Sequence, residues 1–585
     1  MIRDKIIALL KAALEKESIL EDEVQLEHPA NPAFGDYSTN IALKVAKNLK
    51  KNPLDVAQSI AHSTEKQDII EKIEVVKPGF INIYLSNKAL LAELSAVAKE
   101  KDIYGYTKSG EGKKWLIEHT SPNPNKAMHL GHLRNNVTGM AISNLWEAVG
   151  IQVIRDCIDN DRGIAIARLM WGYLKYARKD GKEMTNIDYW YEHQDEWQTP
   201  DDAKLEADKF VDQLYVKASE DFKNKDVEQK VRQLVIDWEQ GDKKNHALWS
   251  KVLEFSYQGQ KETYARLGTK FDKVWHEHEH YQKGKDLVEE GVKKGVFKKL
   301  EDGAILTNLE NYKLPDTIII KKDRTSLYIT QDLALTQLKK ETLNPDKLFW
   351  VVGPDQTLAL RQLFAICEQL GIAKREDLVH ISFGYMSIKG KGKMSSRAGN
   401  VVYIEDLLDD AKTAITQMFA ERKVDSADTD TVAEKMAVGA VKYSILKVGR
   451  TTDTAFDFET SLSLDGDSGP YLQYTYARCR NVLAQAEKNE LKDNTYSPNE
   501  EEVGLLRLFP RFSETIEASA YQYAPNLLCN YLFDLAQAYN LFYQKHQILK
   551  ADEETKKFRL ALTQSVAQIL KNGLAILGIE TVDKI

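Results

Sequence analysis

Residues 129–132 read HLGH and place two imidazoles three positions apart, with a glycine between them. The apolar run KWLIEH at 114–119 precedes them, across a loop that contains SPNPNK. The order strand, loop and helix puts His129 and His132 in the first turn of a helix, on one face. A helix N-terminus has free N–H groups and partial positive charge, both of which favour phosphate. Because Gly131 has no side chain, a nucleotide can approach the backbone closely there.

A second stretch, KGKGKMSSRAGN at 389–400, follows the last predicted strand and is basic and rich in glycine and serine. Lysines, Arg397 and hydroxyl groups on such a loop can close over a triphosphate and stabilise the charge that develops as pyrophosphate leaves. Each stretch alone also fits a structural role: capping or core histidines for HLGH, and an exposed linker for the loop. Together, at opposite ends of one parallel-sheet domain, they favour a nucleoside triphosphate site.

The composition limits the class of protein. The 585 residues correspond to roughly four domains. Hydrophobic residues make up 43% of the chain and charged residues 29%, which is typical of a soluble globular protein. The four cysteines form no C-x-x-C pair, so the sequence predicts a reducing, cytoplasmic setting. With a net charge of −8, any RNA binding must depend on local basic patches.

The residue pattern changes along the chain and predicts an α/β protein with several domains. Residues 1–108 are predicted to form a small N-terminal α/β domain. In 109–400, short apolar runs alternate with helices, which predicts a Rossmann-type parallel sheet interrupted by a helical insertion at about 180–270. Residues 401–465 are predicted as a helical connector. Residues 466–585 have apolar side chains at helical spacing, which predicts a C-terminal α-helical bundle.

Several stretches together resemble one enzyme family. HLGH resembles the HIGH signature of class I aminoacyl-tRNA synthetases, and KMSSR resembles their KMSKS loop. Along nearly its whole length the chain resembles arginyl-tRNA synthetases. The further matching stretches are FGDYSTNIAL, EHTSPNPNKAMHLGHLRNN, LYITQDLA, VVGPDQTLALRQLF, GPYLQYTYARCRNVL and RLAL…GLAILGI.

The resemblance implies ATP-dependent ligation of L-arginine to its cognate tRNA. The expected intermediate is arginyl-adenylate, and the expected acceptor is the 2′-hydroxyl of the terminal adenosine. ATP and Mg²⁺ are the implied cofactors, and tRNA(Arg), arginine and ATP are the implied partners. We expect no membrane association, a cytoplasmic location and, by default, a monomer.

The resemblance also assigns roles to residues. For catalysis these are His129, Gly131, His132, Lys393, Arg397 and Lys126. For ATP binding they are His129, Gly131, His132, Gly353, Met394, Ser395 and Ser396. For arginine binding they are Glu118, Ser121, Asn123, His132, Tyr328, Asp332 and Gln356. For tRNA binding they are Phe34, Tyr37, Tyr471, Gln473, Tyr474 and Arg478.

An arginine pocket needs carboxylates and acceptors that match a guanidinium group. Tyr328 and Asp332 are four residues apart, so on a helix both can face one cleft and hold the guanidinium group. Asn123 and Gln356 are expected to meet the α-amino and carboxylate ends of the substrate. Glu118 is a second candidate carboxylate. The alternatives are a surface salt bridge for Glu118 and a helix N-terminal acid for Asp332.

The tRNA contacts predicted for the C-terminal bundle depend on one helix face that has aromatic and basic side chains. Pro470 suits the first turn of a helix, after which Tyr471, Tyr474 and Arg478 fall on one face. Aromatic side chains beside a base can stack on unpaired nucleotides while the guanidinium group meets phosphate. The alternative is an ordinary packed helix of the bundle.

Three positions depart from the family pattern or remain open. KMSSR lacks the second lysine of the KMSKS signature; Arg397 keeps a positive charge on the loop, and Lys126 is a candidate to supply the missing ammonium group. Ala165 stands where glutamine is usual, so it receives no role. In WHEHEHY the three histidines at 276, 278 and 280 alternate, which on a strand would put them on one face. Zinc is geometrically possible there. We expect surface histidines instead, and predict no metal site.

Three other functions fit parts of this pattern. A class I synthetase for another amino acid would not need Asp332 beside Tyr328. A screen of amino acid substrates would identify such an enzyme. A non-catalytic tRNA-binding paralogue would bind tRNA without activity, but it would gain nothing from HLGH and KMSSR. A nucleotidyltransferase that shares only the H-x-G-H fold would not need a C-terminal RNA-binding bundle.

Overall fold

The computed structural model describes residues 1–19, 23–322, 328–390, 401–422, 428–486 and 496–585. The chain divides into two compact units. Unit 1 contains residues 1–109, 464–576 and 580–585, and unit 2 contains residues 110–463 and 577–579. Within the described ranges, no helix is both long enough and apolar enough to cross a bilayer.

The N-terminal part of unit 1 is a three-stranded antiparallel sheet with helices packed against it. Its strands run in the order β1-β3-β2. Asn52 and Ser86 cap two of the helices by accepting hydrogen bonds from backbone N–H groups of the first turn. The elements are α1 (Ile2–Lys16), β1 (Tyr37–Thr39), α2 (Ile41–Leu49), α3 (Pro53–Ser63), β2 (Ile70–Val76), β3 (Phe80–Leu85) and α4 (Asn87–Glu100).

Unit 2 is built on a five-stranded parallel sheet, as the sequence predicts. The strands of the sheet run in the order β11-β10-β4-β5-β6. Two smaller sheets accompany it: antiparallel β7-β8-β9 and the parallel pair β12-β13. The strands are β4 (Lys114–Glu118), β5 (Gln152–Asp159), β6 (Lys273–His276), β7 (Lys298–Lys299), β8 (Ile305–Leu306), β9 (Ile318–Ile320), β10 (Lys347–Val352), β11 (Leu378–Ser382), β12 (Met386–Ile388) and β13 (Thr454–Phe456).

Helices cover this sheet, and a group of them forms the predicted insertion between β5 and β6. Trp190 and Trp197 are fully buried in the core of the insertion. The helices of unit 2 are α5 (Leu130–Ala148), α6 (Ile164–Tyr176), α7 (Ile187–Glu192), α8 (Pro200–Ala203), α9 (Ala207–Asp221), α10 (Lys225–Glu239), α11 (Lys243–Leu267), α12 (Glu277–His280), α13 (Lys283–Lys293), α14 (Tyr328–Leu343), α15 (Thr357–Leu370), α16 (Ile404–Glu421), α17 (Thr429–Leu446) and α18 (Phe458–Ser461).

The C-terminal part of unit 1 is the predicted helical bundle. Its apolar stripe is core: Leu528, Leu532 and Leu535 have no exposed surface. The helices are α19 (Gly469–Ala484), α20 (Glu500–Leu508), α21 (Arg511–Gln522), α22 (Pro525–Lys545) and α23 (Glu553–Ile576).

A buried carboxylate joins the two parts of unit 1. Glu514 on α21 accepts a hydrogen bond of 2.6 Å from the Tyr37 hydroxyl and lies 3.1 Å from Nε2 of His28. Nearby, Asp36 pairs with Arg507 at 3.0 Å. The two ends of the chain therefore meet in one polar interface whose charged groups have partners.

We expect Tyr37→Phe to lower the free energy of unfolding of unit 1 by about 1–3 kcal/mol, because Glu514 would stay buried without this donor. The matched control is Tyr84→Phe, since the Tyr84 hydroxyl donates to Glu74 at a more exposed position. Urea denaturation followed by circular dichroism would measure both transition midpoints. Equal shifts for the two variants would contradict the prediction.

Candidate active site

The HLGH stretch lies where β4 passes into α5, as the sequence predicts. His129 is the N-cap of α5, and its Nδ1 accepts a hydrogen bond from the Gly131 N–H at 3.1 Å. Nδ1 of His132 accepts from the His129 N–H at 3.2 Å, and the two rings stack with centroids 4.0 Å apart. A Cβ atom on residue 131 would lie 3.0 Å from the His129 ring, so glycine suits this turn.

Both imidazoles are neutral at physiological pH. Burial lowers the pKa of His129, and Lys126 lowers it further. The pKa of His132 falls well below its ordinary value through burial, His129 and Lys126. Because both Nδ1 atoms accept hydrogen bonds, each neutral ring carries its hydrogen on Nε2. The helix start therefore offers two further N–H donors, and Gly131 is exposed between them.

The loop between β4 and α5 is held in an unusual backbone conformation. Thr120 and Ser121 have φ angles of +73° and +33°, which costs side-chain-bearing residues about 1–3 kcal/mol each. Hydrogen bonds hold them there: the Thr120 N–H donates to Asn135 at 2.8 Å, and the Ser121 Oγ accepts from the Ile158 N–H at 3.1 Å. Ser121 therefore ties the end of β4 to β5. Such strain is typical of functional loops.

Asn123 and Gln356, two side chains that are predicted to bind arginine, are exposed and come after strands of the parallel sheet. Asn123 accepts a hydrogen bond of 3.0 Å from Asn160, which comes directly after β5. Gln356 lies after the end of β10 and donates to Asp355 at 2.8 Å. Since β10, β4 and β5 are parallel neighbours, both side chains follow carboxyl ends at one edge of the sheet. Gly353 directly follows β10 at the same edge.

Glu118 pairs with a buried lysine, and its role as an arginine ligand stays a prediction. Its Oε2 lies 2.5 Å from Nζ of the fully buried Lys339, and Asp156 lies 2.7 Å from the same nitrogen. Trp275 Nε1 also donates to Asp156 at 2.9 Å. Burial raises the pKa of Asp156, and Lys339 opposes that rise. We therefore interpret Glu118 as a support beneath the pocket.

Asp332 is an exposed carboxylate on α14. It lies one helical turn after Tyr328 on α14, as the sequence predicts, although the Tyr328 side chain lies outside the described residues. Partial removal from water raises the pKa of Asp332 to about 7, and the negative charges of Glu118 and Glu277 add to this. A cation bound beside Asp332 would lower its pKa and so oppose both effects.

Glu277 is a residue that the sequence interpretation missed. It opens α12, pairs with Arg162 at 3.7 Å, and burial raises its pKa to about 7. Its charge acts on Asp332, so two carboxylates share this part of the cleft. The stretch HEHEH contains this acid, but only the alternation of its histidines suggested a site.

The predicted signature-loop residues Lys393, Met394, Ser395, Ser396 and Arg397 lie outside the described residues. The chain on either side of them is attached to α5. The backbone of Tyr403 forms a β-bridge with His129, and the Ile404 N–H donates to the Met128 carbonyl at 3.0 Å. On the other side, the Arg134 guanidinium group donates to the Tyr385 carbonyl at 2.8 Å.

Lys126 stands beside the two histidines. Its Nζ lies 5.4 Å from the centre of the Tyr215 ring, and its charge contributes to the lowered pKa values of His129 and His132. Its role in catalysis stays a prediction.

Comparison with known proteins gives the family. Models described as "Arginyl tRNA synthetase N terminal domain", "tRNA synthetases class I (R), catalytic domain" and "DALR anticodon binding domain" match residues 2–85, 93–458 and 472–585. The arginine–tRNA ligase of Treponema denticola is 35% identical, with 95% of this chain and 94% of the relative aligned. The chain belongs to the arginyl-tRNA synthetase family. It is a class I aminoacyl-tRNA synthetase that uses ATP to charge tRNA with arginine.

Other relatives agree with this membership. The arginine–tRNA ligase of Bacteroides thetaiotaomicron is 31% identical, with 99% of both chains aligned. The arginyl-tRNA synthetase structure from Thermus thermophilus has a TM-score of 0.83 at 22% identity, covering 100% of both chains, and supports the fold. None of these findings favours a non-catalytic paralogue or a synthetase for another amino acid.

In this arginyl-tRNA synthetase family member, the predicted RNA face on α19 is only partly open. The Arg478 guanidinium group lies 4.8 Å from the Tyr474 ring centre and donates to Asn540 on α22. Asn540 also donates to the Tyr471 hydroxyl at 2.8 Å. Gln473 is fully buried and donates to the Glu580 carbonyl at 2.7 Å. A tRNA contact through Gln473 stays a prediction, although its side chain is buried here.

The two residues predicted to contact tRNA in the N-terminal domain differ in exposure. Phe34 is 50% exposed and accessible to a partner. Tyr37 is 1% exposed because its hydroxyl group is bonded to Glu514, so its side chain supports the domain interface and does not present a surface to RNA.

We expect Lys339→Met to lower the free energy of unfolding of unit 2 by about 3–5 kcal/mol, because Glu118 and Asp156 would stay buried without a counter-charge. Lys340→Met is the matched control, since Lys340 donates to the Pro345 carbonyl at a part-buried position. Urea unfolding followed by circular dichroism would compare the variants. A midpoint for Lys339→Met no lower than that of the control would refute the prediction.

The affinity for arginine is expected to rise with pH, because the guanidinium group needs the ionised form of Asp332. With a pKa of about 7 in the free enzyme, binding at pH 6 should be about tenfold weaker than at pH 8. Arginine binding near pH 6 should also release a proton. Isothermal titration calorimetry in buffers of different ionisation enthalpy would measure both effects.

The control for this pH dependence is Asp332→Asn. This variant should bind arginine weakly and with the same affinity at both pH values, since its amide does not titrate. A wild-type enzyme with equal affinity at pH 6 and pH 8 would show that Asp332 is already ionised in the free enzyme.

Proposed function

We propose that this enzyme activates arginine as arginyl-adenylate and then transfers the arginyl group to the 2′-hydroxyl of the terminal adenosine of tRNA(Arg). The observation that carries the proposal is the open start of α5. There, two neutral imidazoles and the helix N-terminus follow the same sheet edge as the carboxylates of the cleft. One edge thus offers a site for phosphate and a site for a cation.

In the proposed first step, the carboxylate of arginine attacks the α-phosphate of ATP in line, and pyrophosphate leaves. No protein side chain acts as the nucleophile, so the contribution of the enzyme is positioning and charge stabilisation. His129 and His132 donate hydrogen bonds from Nε2 to the nucleotide, and Gly131 allows close approach. Mg²⁺ enters as the counter-ion of the ATP phosphates and is part of the substrate.

Recognition of arginine is proposed to rest on Asp332 with the Tyr328 hydroxyl group at the guanidinium end. Asn123, Ser121 and Gln356 are proposed to meet the α-amino and carboxylate groups. Their exposed or strained positions at the ends of neighbouring strands support this assignment. Citrulline, which is neutral, should be rejected strongly, because the carboxylates would then lack a cation.

The signature loop is proposed to neutralise the leaving pyrophosphate through Lys393 and Arg397, assisted by Lys126. Gly353, Met394, Ser395 and Ser396 are proposed to contact ATP. The position of Lys126 beside both signature histidines supports its part in this set.

For tRNA, we propose contacts through Phe34 in the N-terminal domain and through Tyr471, Tyr474 and Arg478 in the bundle. The exposure of Phe34 and the pairing of Arg478 with the Tyr474 ring support these choices. A monomeric, cytoplasmic enzyme remains our expectation from the family resemblance.

An aminoacylation assay with purified tRNA(Arg), with and without arginine, tests the function. Charging should require arginine and ATP, and pyrophosphate exchange should appear only when tRNA is added. A protein that binds tRNA but charges no amino acid would support the paralogue interpretation. Charging with another amino acid in a substrate screen would reassign its specificity.

Lys126→Ala should slow adenylate formation on the order of 100-fold, because it removes a cation beside the leaving phosphates. Lys113→Ala, an exposed position before β4, is the control and should leave the rate unchanged. Single-turnover measurement of adenylate formation in the presence of tRNA would compare the two. An unchanged rate for Lys126→Ala would remove the support for its catalytic role.

A further inference from the structure

The histidine-rich segment does not form the alternating strand that its sequence suggests. His276 ends β6, where it pairs in register with Asp159 at the end of β5. The chain then turns into α12, which carries His278 and the buried His280. The predicted strand face is therefore wrong, because the register of β5 and β6 leaves His276 as the last paired residue. The segment also follows the same sheet edge as the pocket, not a position remote from it.

This turn brings two imidazoles onto one carboxylate. Asp161 Oδ2 lies 3.4 Å from Nδ1 of His276 and 2.6 Å from Nδ1 of His278. The three ligand atoms all lie within 4.8 Å of one another. Asp159 adds a second carboxylate 3.2 Å from Nδ1 of His276.

We propose that Asp161, His276 and His278 form a binding site for a divalent transition metal ion of the zinc type. Ligand atoms around a tetrahedral Zn²⁺ stand about 3.3 Å apart, given metal–ligand distances of about 2.0–2.1 Å. The separation of 3.4 Å between His276 and Asp161 already has this value. The metal takes the place of the hydrogen between His278 and Asp161, and that contact then lengthens by less than about 1 Å.

The surroundings of Asp161 hold its carboxylate in one orientation, as is typical of a metal ligand. Its side chain is 1% exposed, and its Oδ1 accepts a hydrogen bond of 3.0 Å from the His278 N–H, which turns Oδ2 toward the imidazoles. Nδ1 of His276 is buried between the carboxylates without a well-directed hydrogen bond, and the nearby Tyr257 hydroxyl is likewise unsatisfied. Asp161 is therefore held with one carboxylate oxygen close to both imidazoles.

Access and ligand type narrow the choice of ion. The side chains of His276 and His278 are 31% and 32% exposed, so the site lies near the surface of unit 2. Two imidazole nitrogens and one carboxylate oxygen suit Zn²⁺, Co²⁺ or Ni²⁺, whereas Mg²⁺ and Ca²⁺ prefer oxygen ligands. The site is therefore distinct from the magnesium that accompanies ATP. Three protein ligands leave a coordination position for water.

The test uses the full chain without a histidine tag, stripped of metal and held in magnesium-containing buffer, with Co²⁺ as the probe. We expect saturable visible absorption of tetrahedral Co²⁺ with one ion per chain, and displacement of that ion by Zn²⁺. Absence of a saturable spectrum at one equivalent would overturn the proposal.

His278→Asn should weaken Co²⁺ binding at least about tenfold, because it removes one of three protein ligands. The control is His193→Asn, which removes an exposed histidine of the helical insertion. Equal Co²⁺ binding by these two variants would also overturn the proposal. Circular dichroism checks that His278→Asn folds; if it does not, His276→Gln at the partly exposed second position gives the same comparison.

Discussion

The catalytic unit depends on one buried ammonium group. Nζ of Lys339 bonds Glu118 at the end of β4 and Asp156 in β5, and Trp275 of β6 donates to the same Asp156. Removing these charges from water is costly, so the contacts are favourable only when all partners are present in the right geometry. They align three strands with α14, the helix that carries Asp332. The position of the pocket carboxylate is thus a consequence of ion pairing beneath it.

Above this base, the site combines groups of opposite electrostatic character. Burial keeps His129 and His132 neutral, so the phosphate side is made of N–H donors and a helix dipole without fixed imidazolium charge. Across the cleft, Asp332 and Glu277 have pKa values raised to about 7. The carboxylates repel one another until a cation arrives. A substrate with a guanidinium group at one end and a reactive carboxylate at the other fits this polarity.

Local patterns predicted the fold and the helix start well, since strand, loop and helix signals around HLGH are contiguous in sequence. Local patterns did not predict the structural partners of side chains that meet over a long distance in the sequence. Glu118 meets Lys339 from 221 residues away, and Tyr37 meets Glu514 from 477 residues away. The alternating strand expected for His276 and His278 is absent because β6 ends at His276 and α12 follows. The spacing of residues within a short stretch does not predict such distant partners, although the acids themselves can be read from the sequence.

Unit 1 is assembled from both ends of the chain, and this has a consequence for biosynthesis. The carboxylate that accepts a hydrogen bond from the Tyr37 hydroxyl lies 477 residues later in the chain, after residues 110–463 of unit 2. Until then Tyr37 lacks its Glu514 acceptor, whereas Asp36 already accepts a hydrogen bond of 2.7 Å from the Leu85 N–H within the N-terminal domain. The interface between the two parts of unit 1 can therefore form only after Glu514 has been synthesised.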